Sequence, residues 1–257
     1  MTYAETVEVD TSTEGVWVIT INRPASRNAV NDAVARDMAS ALDEFDGTAT
    51  ARVAVLTGAG AGFSAGLDLK AFLDGELGED KTRGFAGIAK KSPSKPIIAA
   101  IEGFALAGGF EIALACDLIV AATDARIALP EVKRGLVADG GSLLRLPRRI
   151  PYHIAMEIAL TGSEIGVERL HRIGLVNVAC EPGTAVESAT ALANSIVRNA
   201  PLAVAATKEI VQKSPQWTTE EAWDAQDAIA RPVWESEDAE EGARAFAERR
   251  DPVFGAR

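Results

Sequence analysis

Two glutamates in a largely apolar part of the chain carry the side chains best suited to proton transfer. Glu111 lies in the run ALAGGFEIALA, residues 105–115, and Glu131 follows Pro130 in RIALPEVKRG. Each alone is compatible with a capping or surface glutamate, but a carboxylate in apolar surroundings needs a partner or a purpose. Two carboxylates that come close together push their pKa values apart, giving one base and one acid. The pair therefore favours acid–base chemistry.

A pair of glycines precedes Glu111 at the predicted start of a helix. Glycine lets another molecule approach the free N–H groups of Gly108 and Gly109, where the helix dipole favours negative charge. Glu111 comes three residues after Gly108 and so falls in the first turn. There the positive helix end is expected to keep the carboxylate ionised. The segment thus predicts a backbone donor and a carboxylate at one helix end.

A second glycine-rich stretch, GAGAGFSAGLDL at residues 58–69, is compatible with three interpretations. Its G-x-S-x-G pattern, centred on Ser64, matches a serine nucleophile elbow, and its G-x-G-x-x-A pattern matches a dinucleotide-binding loop. The third interpretation is a turn that presents backbone N–H groups to a ligand, or that has no chemical role. The loop by itself does not choose among them.

The neighbouring residues weaken the first two interpretations. Gly and Ala residues separate the preceding strand from Ser64, and the two histidines, His153 and His171, fall in or beside predicted helices. A dinucleotide loop needs a long helix behind it, whereas the apolar pattern here breaks at DGELGED. Donors from this loop and from Gly108 that converged on one oxygen would form an oxyanion hole for an acyl group.

Alternating strands and helices have to position these groups. Short β-branched runs predict strands at residues 16–22, 53–58, 96–103 and 117–122. Between the first two, apolar residues at helical spacing predict a helix over residues 31–45, with Asn31 as its N-cap. After residue 140 helices dominate, with one further strand-like run at residues 174–180. This order predicts an α/β fold whose C-terminal third is mostly helical.

Composition narrows the class of partner. The 257 residues are 47% hydrophobic and 25% charged, with a formal net charge of −11. This acidic balance predicts no nucleic-acid partner and no binding to anionic membranes. The apolar region 97–122 contains Glu102, Glu111 and Asp117, which would be costly inside a membrane. A metal site is not expected, because neither histidine has a second ligand at suitable spacing.

The cysteines and the first residues bear on location. Cys116 and Cys180 lie in apolar runs, which is typical of buried, reduced thiols. The first ten residues, MTYAETVEVD, lack the basic start and apolar core of a secretory signal. We therefore expect a cytoplasmic protein.

Several segments resemble the crotonase, or enoyl-CoA hydratase, superfamily. They are NRPASRNAVN (22–31), FSAGLDL (63–69), GFALAGGFEIALACDLIVA (103–121), ALPEVKRGLVADGG (128–141), LRLPRRIP (144–151) and SEDAEEGARAFAERRDPVF (236–254). The chain is most similar in motif to members described as carnitinyl-CoA dehydratases, through SAG-x-DLKA, GGFE-x-ALA, ALPE-x-K and FAE-x-RDPV.

The resemblance implies a fold and an assembly. Members of the superfamily have an α/β fold, the ClpP/crotonase spiral of ββα units, with a helical C-terminal region used for trimer formation. The trimers commonly pair into hexamers. In this chain, residues 1–195 would form the spiral core and residues 196–257 the helical trimerisation region.

The same resemblance assigns roles to individual residues. The N–H groups of Leu67 and Gly108 would form the oxyanion hole for a thioester carbonyl, with Glu111 and Glu131 as the catalytic carboxylates. CoA contacts would come from Arg27, Ala29, Ala65, Asp68 and Leu69. No cofactor is implied beyond the CoA of the substrate. Ser64 would then have no part in the chemistry.

The implied reaction is the reversible addition of water to a 2-enoyl-CoA thioester, which gives a 3-hydroxyacyl-CoA. Glu111 would help to activate the water and Glu131 would exchange the proton at the α-carbon, or the two roles could be swapped. Alternatives are a carnitinyl-CoA dehydratase (crotonobetainyl-CoA hydratase) and an enoyl-CoA isomerase, a class that often lacks one glutamate. A catalytically silent acyl-CoA-binding protein is an alternative of a different class, which the presence of both glutamates disfavours.

One residue departs from the pattern of typical hydratases. Where those have a glycine-rich segment beside the water site, this chain reads LVADGG, with Asp139 in place of a glycine. Asp139 could move the water, bind a polar or cationic part of the substrate, or form a structural hydrogen bond, which is the expected role. A carnitine-derived substrate would also need aromatic residues around its trimethylammonium group. The candidates are Phe72, Phe85 and Trp234.

Overall fold

The computed structural model describes residues 2, 3 and 6–256. Its strands are β1 (Thr2–Tyr3), β2 (Val7–Asp10), β3 (Val16–Ile21), β4 (Val53–Gly58), β5 (Glu79–Asp80), β6 (Gly84–Phe85), β7 (Ile97–Ile101), β8 (Phe104–Leu106), β9 (Leu118–Ala122), β10 (Arg126–Ala128) and β11 (Val178–Cys180). Its α-helices are α1 (Asp32–Gly47), α2 (Leu69–Leu73), α3 (Gly108–Ala115), α4 (Ser142–Arg149), α5 (Tyr152–Thr161), α6 (Val167–Arg172), α7 (Ala185–Val197), α8 (Pro201–Lys213), α9 (Thr219–Trp234) and α10 (Glu237–Glu248).

A seven-stranded sheet, in the order β1-β2-β3-β4-β7-β9-β11, forms the centre of the fold. The strands from β3 to β11 pair in parallel, whereas β1 and β2 join antiparallel at one edge. The runs VAVLTG of β4 and IIAAI of β7 are buried along almost their whole length, as parallel strands covered on both faces require. Helix α7 covers one face with Ala185, Ala189 and Ala193, and α1 belongs to the larger core on the other.

A small parallel sheet of β8 and β10 organises the elements that follow it. Phe104 lies opposite Arg126, and Leu106 lies opposite Ala128. Along the chain, β7, β8 and α3 form one ββα unit, and β9 and β10 repeat the two-strand pattern. In each repeat the first strand enters the large sheet and the second enters the small sheet. This arrangement is the spiral that the resemblance predicted.

Most of the predicted elements are present. The four predicted strands correspond to β3, β4, β7 and β9, and the later strand-like run contains β11. The predicted helix corresponds to α1, and the side chain of Asn31 accepts a hydrogen bond of 3.2 Å from the Val34 N–H, as an N-cap does. Strands β8 and β10 were not predicted, because three residues are too few to show an alternating pattern.

Helices α8 to α10, here called the C-terminal arm (residues 201–248), bury little of their own surface. No residue of α8 or α9 is buried, and Trp223, Trp234 and Phe246 are 71%, 81% and 87% exposed. The predicted domain boundary at residue 195 lies near the end of α7, and the division into two parts stays a prediction. None of the described helices is long and apolar enough to cross a membrane.

The terminal FAE-x-RDPV motif folds the chain end back onto α10. Arg250 donates hydrogen bonds to both carboxylate oxygens of Glu241, at 2.6 and 2.9 Å. The buried Asp238 carboxylate accepts from the N–H groups of Gly255 and Ala256. The motif therefore has a structural role within the described residues.

Candidate active site

Two backbone segments lie side by side at the edge of the small sheet. Ser64 forms a parallel bridge with Ala105, and the Leu106 N–H donates a hydrogen bond of 3.0 Å to the Ser64 carbonyl. Three residues later, Leu67 forms a parallel bridge with Val30. Because the two segments run side by side in the same direction, the turn at Leu67 lies close to the start of α3.

The two predicted oxyanion donors are close together. A Cβ atom built on Gly66 would lie 2.6 Å from the Gly108 amide nitrogen, so only a glycine fits between the segments. Gly66 also adopts φ +87°, a conformation that other residues rarely take. Neither the Leu67 N–H nor the Gly108 N–H donates a hydrogen bond to a described residue. Both amides are therefore available to a ligand.

Glu111 points from the first turn of α3 into a buried polar cradle and is 4% exposed. Its Oε1 atom accepts hydrogen bonds from the Ser142 N–H at 3.1 Å and from the Ser142 hydroxyl at 2.8 Å. A Cβ atom built on Gly140 would lie 2.5 Å from Oε2, so Gly140 closes the other side. The carboxylate is thus held in one orientation.

Burial raises the pKa of Glu111, although hydrogen bonds from Ser142 and from the Gly140 N–H oppose this rise. Burial therefore acts against the ionised form that the helix end was expected to favour, and the direction of the pKa shift follows burial.

Glu131 lies in a 3₁₀ turn, Pro130–Arg134, and is 8% exposed. Its Oε2 atom is buried and has no hydrogen-bond partner among the described residues. Burial raises its pKa to about 7, and the charge of Glu111 contributes to this rise. A carboxyl group whose pKa is near neutral pH, and one of whose oxygens has no hydrogen-bond partner, can donate or accept a proton.

The small sheet explains why the two glutamates meet. Strands β8 and β10 run in parallel, and the Ala107 N–H that follows β8 donates a hydrogen bond of 3.0 Å to the Ala128 carbonyl at the end of β10. Glu111 and Glu131 come shortly after these two strand ends. The charge of Glu111 raises the pKa of Glu131, as expected for two carboxylates that lie near each other.

Asp139 lies beside the same site without a partner. The residue is exposed, and its carboxylate forms no hydrogen bond to a described residue, whereas its N–H donates to the Val137 carbonyl. Its charge raises the pKa of both Glu111 and Glu131. The prediction that the Asp139 side chain forms a structural hydrogen bond is therefore wrong.

A cavity of about 1200 Å³ reaches this region. Its lining includes Phe85, Asp139, Gly140 and Gly141, together with residues of α4 and α8. Phe85 also packs against the oxyanion segment, since a Cβ atom on Gly108 would lie 2.6 Å from its ring. Of the other proposed pocket aromatics, Phe72 is 40% exposed on α2 and Trp234 is 81% exposed, and neither lines this cavity.

The residues assigned to CoA contacts lie in two connected segments. The Ala65 N–H donates to the Arg27 carbonyl, and the Asp68 N–H donates to the Val30 carbonyl. Asp68 is further occupied by a 3.0 Å ion pair with Arg23 and by capping of α2. Ala29 is 8% exposed and Leu69 is 46% exposed, and Arg27 is exposed. CoA contacts at Ala65 and Asp68 would therefore use groups other than their amides.

Sequence reasoning missed the residues that hold the site in shape. Asn28 is 1% exposed. Its side chain donates to the Ala59 and Gly62 carbonyls and accepts from the Arg23 N–H. Ser142, which binds Glu111, was also missed. In the sequence Ser142 follows two glycines, whereas Asn28 lies in the segment NRPASRNAVN, which contains no glycine. Only the fold shows what each side chain touches.

Ser64 has a structural role, which a substitution can test. The residue is 0% exposed, and its hydroxyl donates to the Asn28 carbonyl at 2.8 Å and accepts from the Gly66 N–H at 3.1 Å. We expect Ser64→Ala to retain acyl-CoA turnover and to lower the free energy of unfolding by about 1 to 3 kcal/mol. Steady-state kinetics and urea unfolding measure the two effects. Abolished turnover in a folded variant would favour the hydrolase.

Comparison with known proteins agrees with this geometry. The family model described as enoyl-CoA hydratase/isomerase matches residues 11–257. An enoyl-CoA hydratase structure from Mycobacterium tuberculosis H37Rv is 55% identical, with a TM-score of 0.95 over 98% of this chain and 99% of that chain. One from Mycobacterium marinum is 53% identical, with the same TM-score and coverage. A carnitinyl-CoA dehydratase from Escherichia coli (strain K12) is 42% identical over 247 residues, 93% of this chain and 94% of the relative.

These matches confirm the resemblance, the crotonase-like fold and, through the named relatives, the class of hydratase or dehydratase. They extend over nearly all of the described chain, including the C-terminal arm. The chain belongs to the enoyl-CoA hydratase/isomerase family.

Proposed function

We propose that this protein catalyses the reversible addition of water to a 2-enoyl-CoA thioester. The observation that carries the proposal is the pair of available amides at Leu67 and Gly108, together with two buried carboxyl groups, of which Glu111 raises the pKa of Glu131. As water adds to the β-carbon, the electrons of the double bond move towards the thioester oxygen. Two aimed N–H donors stabilise the resulting enolate oxygen by about 3 kcal/mol each.

The two glutamates support different proton-transfer roles. Glu111 accepts hydrogen bonds from the Ser142 N–H and hydroxyl, which with the Gly140 N–H favour its ionised form. This suits the base that removes a proton from water. Glu131 has a free oxygen and a pKa of about 7, which suits the acid that protonates the α-carbon. The new C–O and C–H bonds then form as one proton leaves water and another leaves Glu131. Exchange with solvent returns each carboxyl group to its starting state.

The raised pKa of Glu131 predicts opposite pH limits for the two directions. Hydration needs protonated Glu131, so kcat/KM for an enoyl-CoA should fall as the pH rises through about 7. Dehydration needs ionised Glu131, so kcat/KM for the hydroxyacyl-CoA should fall as the pH drops through the same value. Rate profiles from pH 5 to 9 in both directions measure these limits. Parallel limits in the two directions would contradict the role of Glu131.

The direct test is turnover of crotonyl-CoA, followed as loss of the enoyl absorbance with no added cofactor or metal. The proposal assigns CoA only to the substrate, so activity should survive dialysis against a chelator. Identification of 3-hydroxybutyryl-CoA supports hydration. Tight CoA binding without turnover of any enoyl-CoA would favour the silent binding protein, and conversion of a 3-enoyl-CoA without hydration would favour the isomerase.

A carnitinyl-CoA dehydratase is the second candidate, because Asp139 and Phe85 both line the cavity. An unpartnered carboxylate and an aromatic ring together suit a trimethylammonium group. The matched probes are crotonobetainyl-CoA and its neutral carbon isostere, 5,5-dimethylhex-2-enoyl-CoA. A marked preference for the charged probe that is lost in Asp139→Asn supports this candidate. Equal kcat/KM values for the two probes would exclude it.

The C-terminal arm supports assembly into a homotrimer or a hexamer of two trimers. Its exposed Trp223, Trp234 and Phe246 are large apolar side chains that water does not favour. Sedimentation equilibrium measures the assembly, and a monomer at micromolar concentration would contradict it. Cys116 and Cys180 are free thiols, which supports a cytoplasmic location.

A further inference from the structure

The segment that contains Asp139 wraps around both glutamates. It begins beside Glu131, whose carbonyl accepts a hydrogen bond of 3.1 Å from the Leu136 N–H. It ends at Gly140 and Ser142, which enclose the Glu111 carboxylate. Asp139 is therefore the residue next to one wall of the Glu111 cradle. Its side chain is at the rim of the cavity, exposed to water, without a hydrogen-bond partner among the described residues.

The other charged groups near Glu111 and Glu131 either interact with another group or act on the glutamates in the opposite sense to Asp139. Arg134, on the turn that carries Glu131, favours its ionised form. Arg145, on α4, is affected by the charge of Glu111 and donates a hydrogen bond to the Ala89 carbonyl. Across the cavity, Glu79 is paired with Lys90 at 3.7 Å and Asp117 with Lys208 at 2.7 Å. Among the described residues that line this cavity, Asp139 is the unpaired carboxylate.

We propose that Asp139 is a positioning residue for the proton: its free carboxylate repels negative charge from the Glu111–Glu131 pair and so adds to the effect of burial in favouring the protonated form of the acidic member. The field of the Asp139 carboxylate disfavours a second and a third negative charge nearby. The effect on the pKa of both glutamates has the direction that this geometry requires. This inference rests on the proposed hydratase function.

The test compares Asp139→Asn with Asp139→Glu, using crotonyl-CoA, which carries no charge on its acyl group. Removing the charge should move the pH limit near 7 to lower pH in both reaction directions, whereas Asp139→Glu should keep it. Glu79→Gln is the matched control, a carboxylate of the same cavity that is paired with Lys90, and it should leave the limit in place. An equal loss of rate at every pH, without a moved limit, would mean a structural role and overturn the proposal.

The salt dependence of the pH limit is a second measurement, and a substitution that only disturbed the structure would not change it. Raising the ionic strength from about 0.01 M to 1 M shortens the screening length from about 30 Å to 3 Å. In the unsubstituted protein the pH limit should move to lower pH with salt, and in Asp139→Asn it should move less. Equal salt effects in the two proteins would overturn the proposal.

Direct titration separates this inference from the proposed function. Infrared difference spectra of protein with ¹³C-labelled glutamate report the protonated carboxyl groups without any substrate. The titration should move to lower pH in Asp139→Asn, and coincident titrations would overturn the inference. A protein that turned over no enoyl-CoA but showed this movement would refute the hydratase function and keep the electrostatic role.

Discussion

Replacing either glutamate by glutamine should lower kcat for crotonyl-CoA hydration by about 10² to 10⁴-fold, the usual contribution of one general acid or base. Glutamine keeps the size of the side chain but can neither gain nor lose a proton at neutral pH. Glu131→Gln should also remove the pH limit near 7, because that limit belongs to its carboxyl group. Stopped-flow and steady-state rates over pH measure both effects.

The double variant provides the sharper comparison. If Glu111 and Glu131 act on one transition state, the double variant should be about as slow as the slower single variant, because residues that act as a unit are not additive. Thermal unfolding is the control for folding. Retention of near-normal turnover in both single variants would contradict the proposed mechanism.

Glu131→Gln should also change how the free energy of unfolding depends on pH. Burial places the pKa of Glu131 in the folded protein at about 7, above its ordinary value of 4.5. A group whose pKa rises on folding binds its proton more tightly in the folded state, so stability falls as the pH rises between those two values. Glutamine removes this loss, and the variant should be less sensitive to pH in that window. Urea unfolding at several pH values measures the difference.

Gly66→Ala should lower kcat by about 10² to 10³-fold, the cost of losing one oxyanion donor. The new methyl group would lie 2.6 Å from the Gly108 amide nitrogen and 2.9 Å from the Leu106 carbonyl oxygen, so the two segments must separate. The thioester oxygen would then reach at most one of its donors. Rates with crotonyl-CoA, together with affinity for a non-reactive acyl-CoA, separate this effect from weaker binding.

Gly75→Ala is the matched control for backbone strain. Gly75 adopts φ +91°, close to the +87° of Gly66, but no described atom lies within 4 Å of the place that a new methyl group would take. The substitution should therefore cause a similar strain in the backbone with little loss of kcat. Similar losses in the two variants would mean that the strain, and not the separation of the donors, lowers the rate.

The sequence predicted the long elements and the class of enzyme, for identifiable reasons. Strand β4 and helix α1 agree with their patterns, because a continuous apolar run and an N-capped helix with apolar residues at helical spacing are local signals. The glycine motifs placed the backbone donors, and the two glutamates stood out because carboxylates are rare in apolar runs. The substrate class came from the resemblance of several motifs to one superfamily, which the relatives confirm.

The tertiary structure decided what depends on distant parts of the chain. Strands β8 and β10 are too short to predict, yet their pairing brings Glu111 and Glu131 together. The pKa of Glu111 rises because burial outweighs the hydrogen bonds from Ser142 and Gly140, and burial is a property of the whole fold. Asp139 was expected to form a hydrogen bond, but the fold leaves its side chain at the cavity rim without a described partner. Residue types and local spacing are written in the sequence, whereas proximity, burial and the fields between charges exist only once distant segments have packed together.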